Sequence, residues 1–443
     1  MMTSQQLLDQ FIALHPKIID LGLDRVVDLL DRLGRPQDQL PPVIHIAGTN
    51  GKGSTLAFIR AILQAMGYKV DCYSSPHLMD FHERILLNGT PIDEARLVEL
   101  LRDVERINDH RPITFFEITT CAAFLAFKDS KADFLLLETG LGGRLDATNI
   151  IEKPALTIIT PVSMDHQQYL GDSLPKIATE KAWIQKPLTD SIIASQHPDA
   201  LAAIQTVAAQ IGASPFIYDK DWHYAIRLDG GLVYERKHHA WYDAPAPSLY
   251  GAHQYQNLAT AIASIDRLHA QGLIARSHEQ IQHAIKAGAV AAKWPARMQK
   301  INFGALAQTY PDAEIILDGG HNQAAGKQLA INVKALNKKR PAPTVFVVGM
   351  LNSKQADDFL APLAECCDYL FTVSIPDQAA SFTASELANV AIGSNHGVTV
   401  ALTEFDQLYD YLGDINLAAD FRMIITGSLY LSGYLLKEWG YQW

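Results

Sequence analysis

The sequence predicts an α/β fold in two parts: an N-terminal domain built on a mostly parallel sheet and a smaller, Rossmann-like C-terminal domain. Three observations carry this. From Val43 onward, short β-branched runs alternate with longer stretches of helical period, the pattern of βαβ units around a parallel sheet. Each apolar run ends at a Gly-rich or polar loop, and ligands of open α/β sheets sit at the carboxyl ends of strands. The alternation breaks off around Lys293 to Ile301 and begins afresh at Ile315, which marks a boundary between domains.

Taken in order, the apolar runs Val43 to Ala47, Phe134 to Leu137 and Leu156 to Thr160 are the first strands. Between them, Leu56, Ile59, Ile62, Leu63 and Met66 fall on one helical face, while Phe115 to Phe127 is apolar nearly all round and predicts a buried helix. Asn88-Gly89, between Ile85-Leu87 and Ile92, and Asp229-Gly230-Gly231, between Ile226 and Val233, predict hairpins that decorate the first domain. Arg236-Lys237-His238-His239 beside Trp241 and Tyr242 reads as a solvated hairpin end rather than a basic aromatic patch. Beyond the boundary, strands are expected at Glu314 to Leu317, Thr344 to Val348, Tyr369 to Val373 and Met423 to Thr426, with helical stretches between them.

With 443 residues, 48% hydrophobic and 19% charged, the chain can bury more than one core. Its 37 basic and 48 acidic side chains give a formal net charge of −11, which argues against a nucleic-acid or anionic-membrane surface. Positive charge for any anionic ligand must therefore be concentrated locally. Cys72, Cys121, Cys366 and Cys367 show no CxxC spacing and fit reduced thiols acting as small buried hydrophobes. Met1 to Leu14 lacks the basic start and apolar stretch of a signal peptide, and no apolar run approaches the roughly 20 residues that span a bilayer. A soluble, cytoplasmic monomer is expected.

The strongest local signal is Ala47-Gly48-Thr49-Asn50-Gly51-Lys52-Gly53-Ser54-Thr55, lying between an expected strand and an amphipathic helix. This is the context of a P-loop. Glycines let backbone N–H groups close around a phosphate, the helix N-terminus adds its dipole, and Lys52 supplies a mobile charge. The hydroxyl of Ser54 or Thr55 is expected to cap the helix and to reach a phosphate or its metal. The spacing departs from G-x-x-x-x-G-K-[ST], because Gly48 stands three residues before Gly51 and Gly53 separates Lys52 from Ser54. A guanine-reading Asn-Lys-x-Asp is not supplied by Asn337-Lys338-Lys339-Arg340.

That loop, together with Tyr73-Ser74-Ser75-Pro76-His77-Leu78 and Glu138-Thr139-Gly140-Leu141-Gly142-Gly143-Arg144-Leu145-Asp146-Ala147-Thr148-Asn149, resembles the folylpolyglutamate synthase and dihydrofolate synthase family of the Mur ligase superfamily. Asp165-His166, Glu180-Lys181, Asn257, Arg297, Asp318-Gly319-Gly320-His321-Asn322 and Thr426-Gly427-Ser428-Leu429-Tyr430 follow in the family's order. The resemblance implies an ATP-binding Mur-ligase-like domain over 1–297, a Rossmann-like glutamate-ligase domain over 298–443, and an active site in the cleft between them. It implies an amide ligase that uses ATP to join L-glutamate to dihydropteroate or a reduced folate. Both acceptors, a folate acceptor alone, and a Mur-type peptide acceptor remain open at this point.

The resemblance also implies roles for individual residues. Gly48, Thr49, Asn50, Gly51, Lys52, Gly53, Ser54, Asn257, Arg297 and Asp318 would bind ATP. Ser75, Glu138, His166 and Lys181 would hold magnesium, two ions in all, with Lys181 carrying a carbamate formed with carbon dioxide. Read without the family, Lys181 is a solvated lysine paired with a carboxylate, and His166 is a soft choice for magnesium, which favours oxygen ligands. Leu145, Asp146 and Ala147 would contact the pterin-bearing acid, as would Thr114, Phe115, Phe116 and Glu117. Aromatic rings beside a carboxylate suit a flat, donor-rich pterin, although Phe115 and Phe116 equally suit the start of a core helix. His321 and Ser428 would serve the incoming glutamate, His321 in a catalytic role beside Lys52 and Lys181. Departures from the family pattern are Ala296 for the usual glycine, Gln323 for proline, and Asn352-Ser353-Lys354-Gln355 in place of an Asp-Lys-Asp loop.

Overall fold

The computed structural model describes residues 2–15, 17, 19–236, 241–393, 398–402, 405, 407–414 and 420–442. The chain forms two units, Met1–Ser248 with Gln254–Lys293, and Leu249–His253 with Trp294–Trp443.

In the first unit the strands are β1 (Val43–Ala47), β2 (Val70–Tyr73), β3 (Ile85–Leu87), β4 (Thr90–Pro91), β5 (Phe134–Glu138), β6 (Leu156–Ile159), β7 (Asp190–Ile193) and β8 (Ser214–Ile217). They form one sheet in the order β4-β3-β2-β5-β1-β6-β7-β8, antiparallel at β2–β3 and β3–β4 and parallel elsewhere. β1 lies between β5 and β6, and all three are buried along their length. Strands covered on both faces read as unbroken apolar runs, which is why these were the most visible in the sequence. Asn88 and Gly89 take φ of +50° and +85°, as a two-residue hairpin turn demands. The hairpin they make is the edge of the main sheet, so it extends the domain rather than decorating it.

The second hairpin belongs to a separate antiparallel sheet of β9 (Trp222–Ile226), β10 (Leu232–Arg236) and β11 (Trp241–Ala244). The expected solvated end is corrected at Arg236, whose guanidinium lies 3.4 Å from the buried Asp266 carboxylate. Lys237, His238 and His239 lie outside the described residues.

The Lys52–Ala65 helix buries Leu56, Ile59, Ile62 and Leu63 completely, each worth about 1.5–3 kcal/mol relative to exposure. The Phe115–Ser130 helix buries Ile118, Phe124 and Phe127. Its core also takes Leu7, Phe11, Val26, Leu29 and Leu30, from helices Ser4–Ile12 and Asp24–Arg32.

The second unit holds β12 (Gln299–Ile301), β13 (Glu314–Leu317), β14 (Thr344–Val348), β15 (Tyr369–Val373), β16 (Val398–Leu402) and β17 (Arg422–Thr426). Their order is β12-β13-β17-β14-β15-β16, parallel except at β12–β13. The alternation therefore restarts at Gln299, ahead of Ile315, with a short helix Gly304–Thr309 between the first two strands. Among the described residues no helix is long and apolar enough to cross a membrane. The four cysteines are free thiols, Cys72, Cys121 and Cys367 buried and Cys366 half-buried.

Candidate active site

β1 ends at Ala47 and the Lys52–Ala65 helix starts after four intervening residues, with Gly51 as its N-cap at φ +86° and no side-chain cap. The expected cap by Ser54 or Thr55 is thus corrected: both hydroxyls lie inside the first turn and are buried. As at any helix start, the N–H groups of Gly51 to Ser54 have no intrahelical acceptors and point out of the helix end, and a glycine N-cap has no side chain to take one of them. The Thr55 hydroxyl is buried without a hydrogen-bond partner.

The loop is held from two sides. The N–H groups of Thr49 and Asn50 donate to the Pro161 carbonyl at 3.0 and 3.2 Å, and Thr49 Oγ1 exchanges bonds with Ser163, donating to its carbonyl and accepting from its N–H, both at 3.1 Å. Those two amides are therefore part of the frame, and the N–H groups that remain available to an anion are those of the first turn. On the other side Asn257, buried in the Ala252–Ala270 helix, lies so close to Gly51 that a Cβ there would stand 2.5 Å from its Oδ1.

Three ionisable groups meet at this loop. Lys52 Nζ donates to the carbonyls of Gly48 (3.2 Å) and Thr49 (3.4 Å) and lies 3.7 Å from the carboxylate of Glu138, the last residue of β5. Lys181, on the helix Leu174–Ala182, donates to the same Gly48 carbonyl at 3.0 Å. It is 5% exposed, so the reading of it as a solvated, carboxylate-paired lysine is corrected. Burial and the neighbouring Lys52 ammonium push the Lys181 amine down to about 7, against the pull of Asp165 and Asp146. Ser75 follows β2, its hydroxyl buried without a hydrogen-bond partner. His166, half exposed at φ +51°, begins the short helix Gln167–Leu170 beside Asp165. Among the described residues no three of His, Cys, Asp and Glu gather as a metal cage.

The Glu138 strand end runs into the Gly140–Asp146 loop. Asp146 is buried and caps the turn Ala147–Ile150: its Oδ1 accepts from the N–H and hydroxyl of Thr148, and its Oδ2 from the N–H of Leu141 at 2.7 Å. Leu145 is half-buried and Ala147 buried. A Cβ on Gly143 would stand 2.8 Å from the Glu180 carbonyl, and one on Gly140 would stand 2.5 Å from the Phe116 ring, so glycine permits both contacts. Thr114 and Glu117 form a capping box at the start of the Phe115–Ser130 helix. Glu117 Oε2 accepts from Thr114 and from Arg25 Nε at 3.0 Å, leaving Oε1 buried without a partner. Phe115 and Phe116 do start a core helix, yet they stay half-buried.

In the second unit the loops after β13 and β17 meet, the Gly427 N–H donating to Gly320 at 3.1 Å. Asp318 accepts from the N–H groups of Met298 and Gly320, both at 2.9 Å. The Arg297 guanidinium lies beside Gly319, His321 Nδ1 is 3.0 Å from the Gly319 carbonyl, and Ser428 caps the Leu429–Glu438 helix. Arg297, Asp318, His321 and Ser428 thus gather at the carboxyl ends of β13 and β17. Ala296 has φ +54°, a left-handed conformation that explains why glycine suits that position.

Residues 46–265 match the Mur ligase middle domain, and residues 299–438 match the dihydrofolate synthetase C-terminal domain. The dihydrofolate synthase/folylpolyglutamate synthase of Bacillus subtilis is 33% identical over 438 residues, which is 94% of each chain. The chain belongs to the dihydrofolate synthase/folylpolyglutamate synthase family. Among solved structures of that family, E. coli FolC in complex with DHPP and ADP superposes with a TM-score of 0.86 at 29% identity, covering 98% of this chain and 97% of that one. A bifunctional folylpolyglutamate synthase/dihydrofolate synthase with Mn, AMPPNP and L-glutamate bound gives 0.83 at 28% identity, covering 98% of each.

For this member of the family, sequence reading missed the residues that brace the site: Thr160, Pro161 and Ser163 behind the loop, Arg25 behind Glu117, and His45 and Thr148 behind Asp146. Only His45 carried a signal, a histidine in the middle of an apolar strand.

Proposed function

We propose that the chain is an ATP-dependent ligase that adds L-glutamate to dihydropteroate and to reduced folates through an acyl phosphate. The observation that carries this is the convergence of Lys52 and Lys181 on the Gly48 carbonyl with the Glu138 carboxylate 3.7 Å from Lys52, at a helix N-terminus. Relatives named for both synthase activities, and solved relatives holding ADP, DHPP, Mn and L-glutamate, support the same reading.

A carboxylate is a poor electrophile, so its oxygen first attacks the γ-phosphorus of ATP, giving an acyl phosphate and ADP. The unprotonated amine of glutamate then attacks the acyl carbon, forming the amide and releasing phosphate and a proton. The first step needs positioning and charge neutralisation, which Lys52 and the N–H groups of Gly51 to Ser54 supply. Asn257 joins Gly48, Thr49 and Asn50 in the nucleotide site of the first unit, and in the second unit Arg297 and Asp318 are the residues assigned to ATP. Arg297 offsets phosphate charge and Asp318 receives ribose hydroxyls.

Magnesium, when bound, neutralises and orients phosphate oxygens. Ser75, Glu138, His166 and Lys181 are its proposed donors, and the orphaned Ser75 and Thr55 hydroxyls are hard oxygens that fit such an ion. Lys181 joins them as a carbamate: its amine lone pair attacks carbon dioxide, and a proton leaves. An amine held near neutrality has the lone pair that this needs. Phe115, Phe116, Thr114 and Glu117, with Leu145, Asp146 and Ala147, receive the pterin-bearing acid, while His321 and Ser428 receive glutamate. A cytoplasmic location, where ATP is at hand and thiols stay reduced, is the reading that the four free thiols support.

The test is phosphate release with ATP and glutamate, comparing dihydropteroate with tetrahydrofolate. Both should support turnover; turnover with the folate alone would remove the dihydropteroate half of the reading. Lys52→Ala should release phosphate at least roughly 1,000-fold more slowly with its circular dichroism unchanged, and near-wild-type turnover would refute the role given to Lys52.

A further inference from the structure

His45 stands in the middle of β1, paired with Leu137 of β5 and Thr157 of β6, and is fully buried. An imidazole inside an apolar sheet is costly unless it is bonded. Its Nε2 lies 2.8 Å from Thr148 Oγ1, and Thr148 Oγ1 lies 2.6 Å from Asp146 Oδ1. The far oxygen of Asp146 accepts the Leu141 N–H at 2.7 Å. A chain of hydrogen bonds thus runs from the strand that carries the P-loop to the Gly140–Asp146 loop.

The direction of the hydrogens follows from the inventory of donors. A carboxylate only accepts, so the Thr148 hydrogen points at Asp146. The Thr148 oxygen then offers His45 only a lone pair, which makes Nε2 of His45 the donor. Nδ1 carries no hydrogen, consistent with its being buried without a partner. Burial, assisted by the Lys186 ammonium, holds the ring neutral by pushing its pKa down to about 3.

We propose that His45 and Thr148 are positioning residues that fix the Asp146 carboxylate, and with it the Gly140–Ala147 loop, for the acid substrate. This rests on the reading that Leu145, Asp146 and Ala147 contact that substrate. Leucine at position 45 would satisfy the sheet equally well, but it would leave the Thr148 hydroxyl free to turn, and Asp146 Oδ1 would keep only the Thr148 N–H, at 3.0 Å, as a fixed donor. His45 and Thr148 are 103 residues apart, so only the folded sheet joins them.

β1 ends in the P-loop, and this separates positioning from mere support of the strand. In the full-length enzyme, KM for dihydropteroate and KM for ATP are measured for His45→Leu, His45→Gln, Thr148→Val, Thr148→Ser and Asp146→Asn. His45→Leu and Thr148→Val should raise KM for dihydropteroate roughly tenfold or more while KM for ATP stays within about twofold. His45→Gln, which keeps a donor at the same reach, and Thr148→Ser, which keeps the hydroxyl, should recover most of the loss. Parallel losses in both KM values, or none in either, overturn the proposal. So does a rise with Asp146→Asn that His45→Leu and Thr148→Val do not share, in which case the loop reading survives. No change with Asp146→Asn would instead sink the loop reading itself. Nitrogen-15 spectra of the unmutated enzyme give a readout independent of folding: His45 should carry its proton on Nε2, and a proton on Nδ1 would refute the chain.

Discussion

At Gly48 the backbone has φ +149°, and a Cβ there would stand 1.9 Å from Thr160 Oγ1 and 2.9 Å from the Thr160 carbonyl. The hydroxyl can rotate, but the carbonyl belongs to the backbone just beyond β6 and cannot yield without disturbing the sheet. Gly48→Ala should therefore weaken binding of a non-hydrolysable ATP analogue by at least roughly tenfold, since a displacement of the Gly48 carbonyl moves the acceptor shared by Lys52 and Lys181. Calorimetric titration checks this, and unchanged affinity would mean that the loop tolerates the shift. Ala296 shows the milder case. Its φ of +54° costs about 1–2 kcal/mol for a residue with a Cβ, a cost the fully buried methyl partly offsets.

Among the elements, the sheet of the second unit is tied at its starting edge by Glu314, the first residue of β13. Its carboxylate receives Lys300 of β12 and the buried Arg422 of β17, each at 2.8 Å. Burial alone would raise its pKa, but Lys300 and Arg422 outweigh that and hold it down to about 2. A carboxylate lowered by folding contributes stability that is complete above its unfolded value, about 4.5, and vanishes as pH falls through the folded one. Glu314→Gln should thus lower the urea midpoint at pH 7, and the gap from wild type should narrow steadily below about pH 4.5; a gap independent of pH would discount the ion pairs. Strands such as β1, β5 and β14 were legible because burial on both faces leaves an unbroken apolar run. β12 and β16 were not: Gln299-Lys300-Ile301 is three residues long, and Val398 to Ala401 is exposed or half-buried at the sheet edge. The same physics divides the site. The P-loop is a local motif whose glycines, lysine and flanking strand stand together in the sequence. The contacts of Thr49 with Ser163 and of Phe116 with Gly140 join distant segments, and no spacing within either segment announces them.

For the molecule as a whole, three imidazoles among the described residues are held neutral by the fold: the buried His45 and the half-buried His77, each lowered to about 3, and the half-buried His253, lowered to about 4. Each is lowered first by burial, and each returns to an ordinary value near 6.5 on unfolding. Between about pH 4 and 6.5 the unfolded chain binds protons that the folded chain refuses, so stability must fall as the pH drops below about 6.5. Unfolding at pH 5 should take up about three protons from these rings alone, measurable by calorimetry in buffers of different ionisation enthalpy. An uptake near zero would contradict their burial as neutral bases. Two units with separate cores also make the unfolding transition unlike that of a single small domain. Finally, the reciprocal bonds between Thr49 and Ser163 splice the phosphate cradle to the segment that leads to His166. Any coupling that these bonds carry between ligands of the two segments is reciprocal, as thermodynamics requires of binding free energies. If a divalent ion bound near His166 tightened nucleotide binding by some factor, nucleotide would tighten the binding of that ion by the same factor.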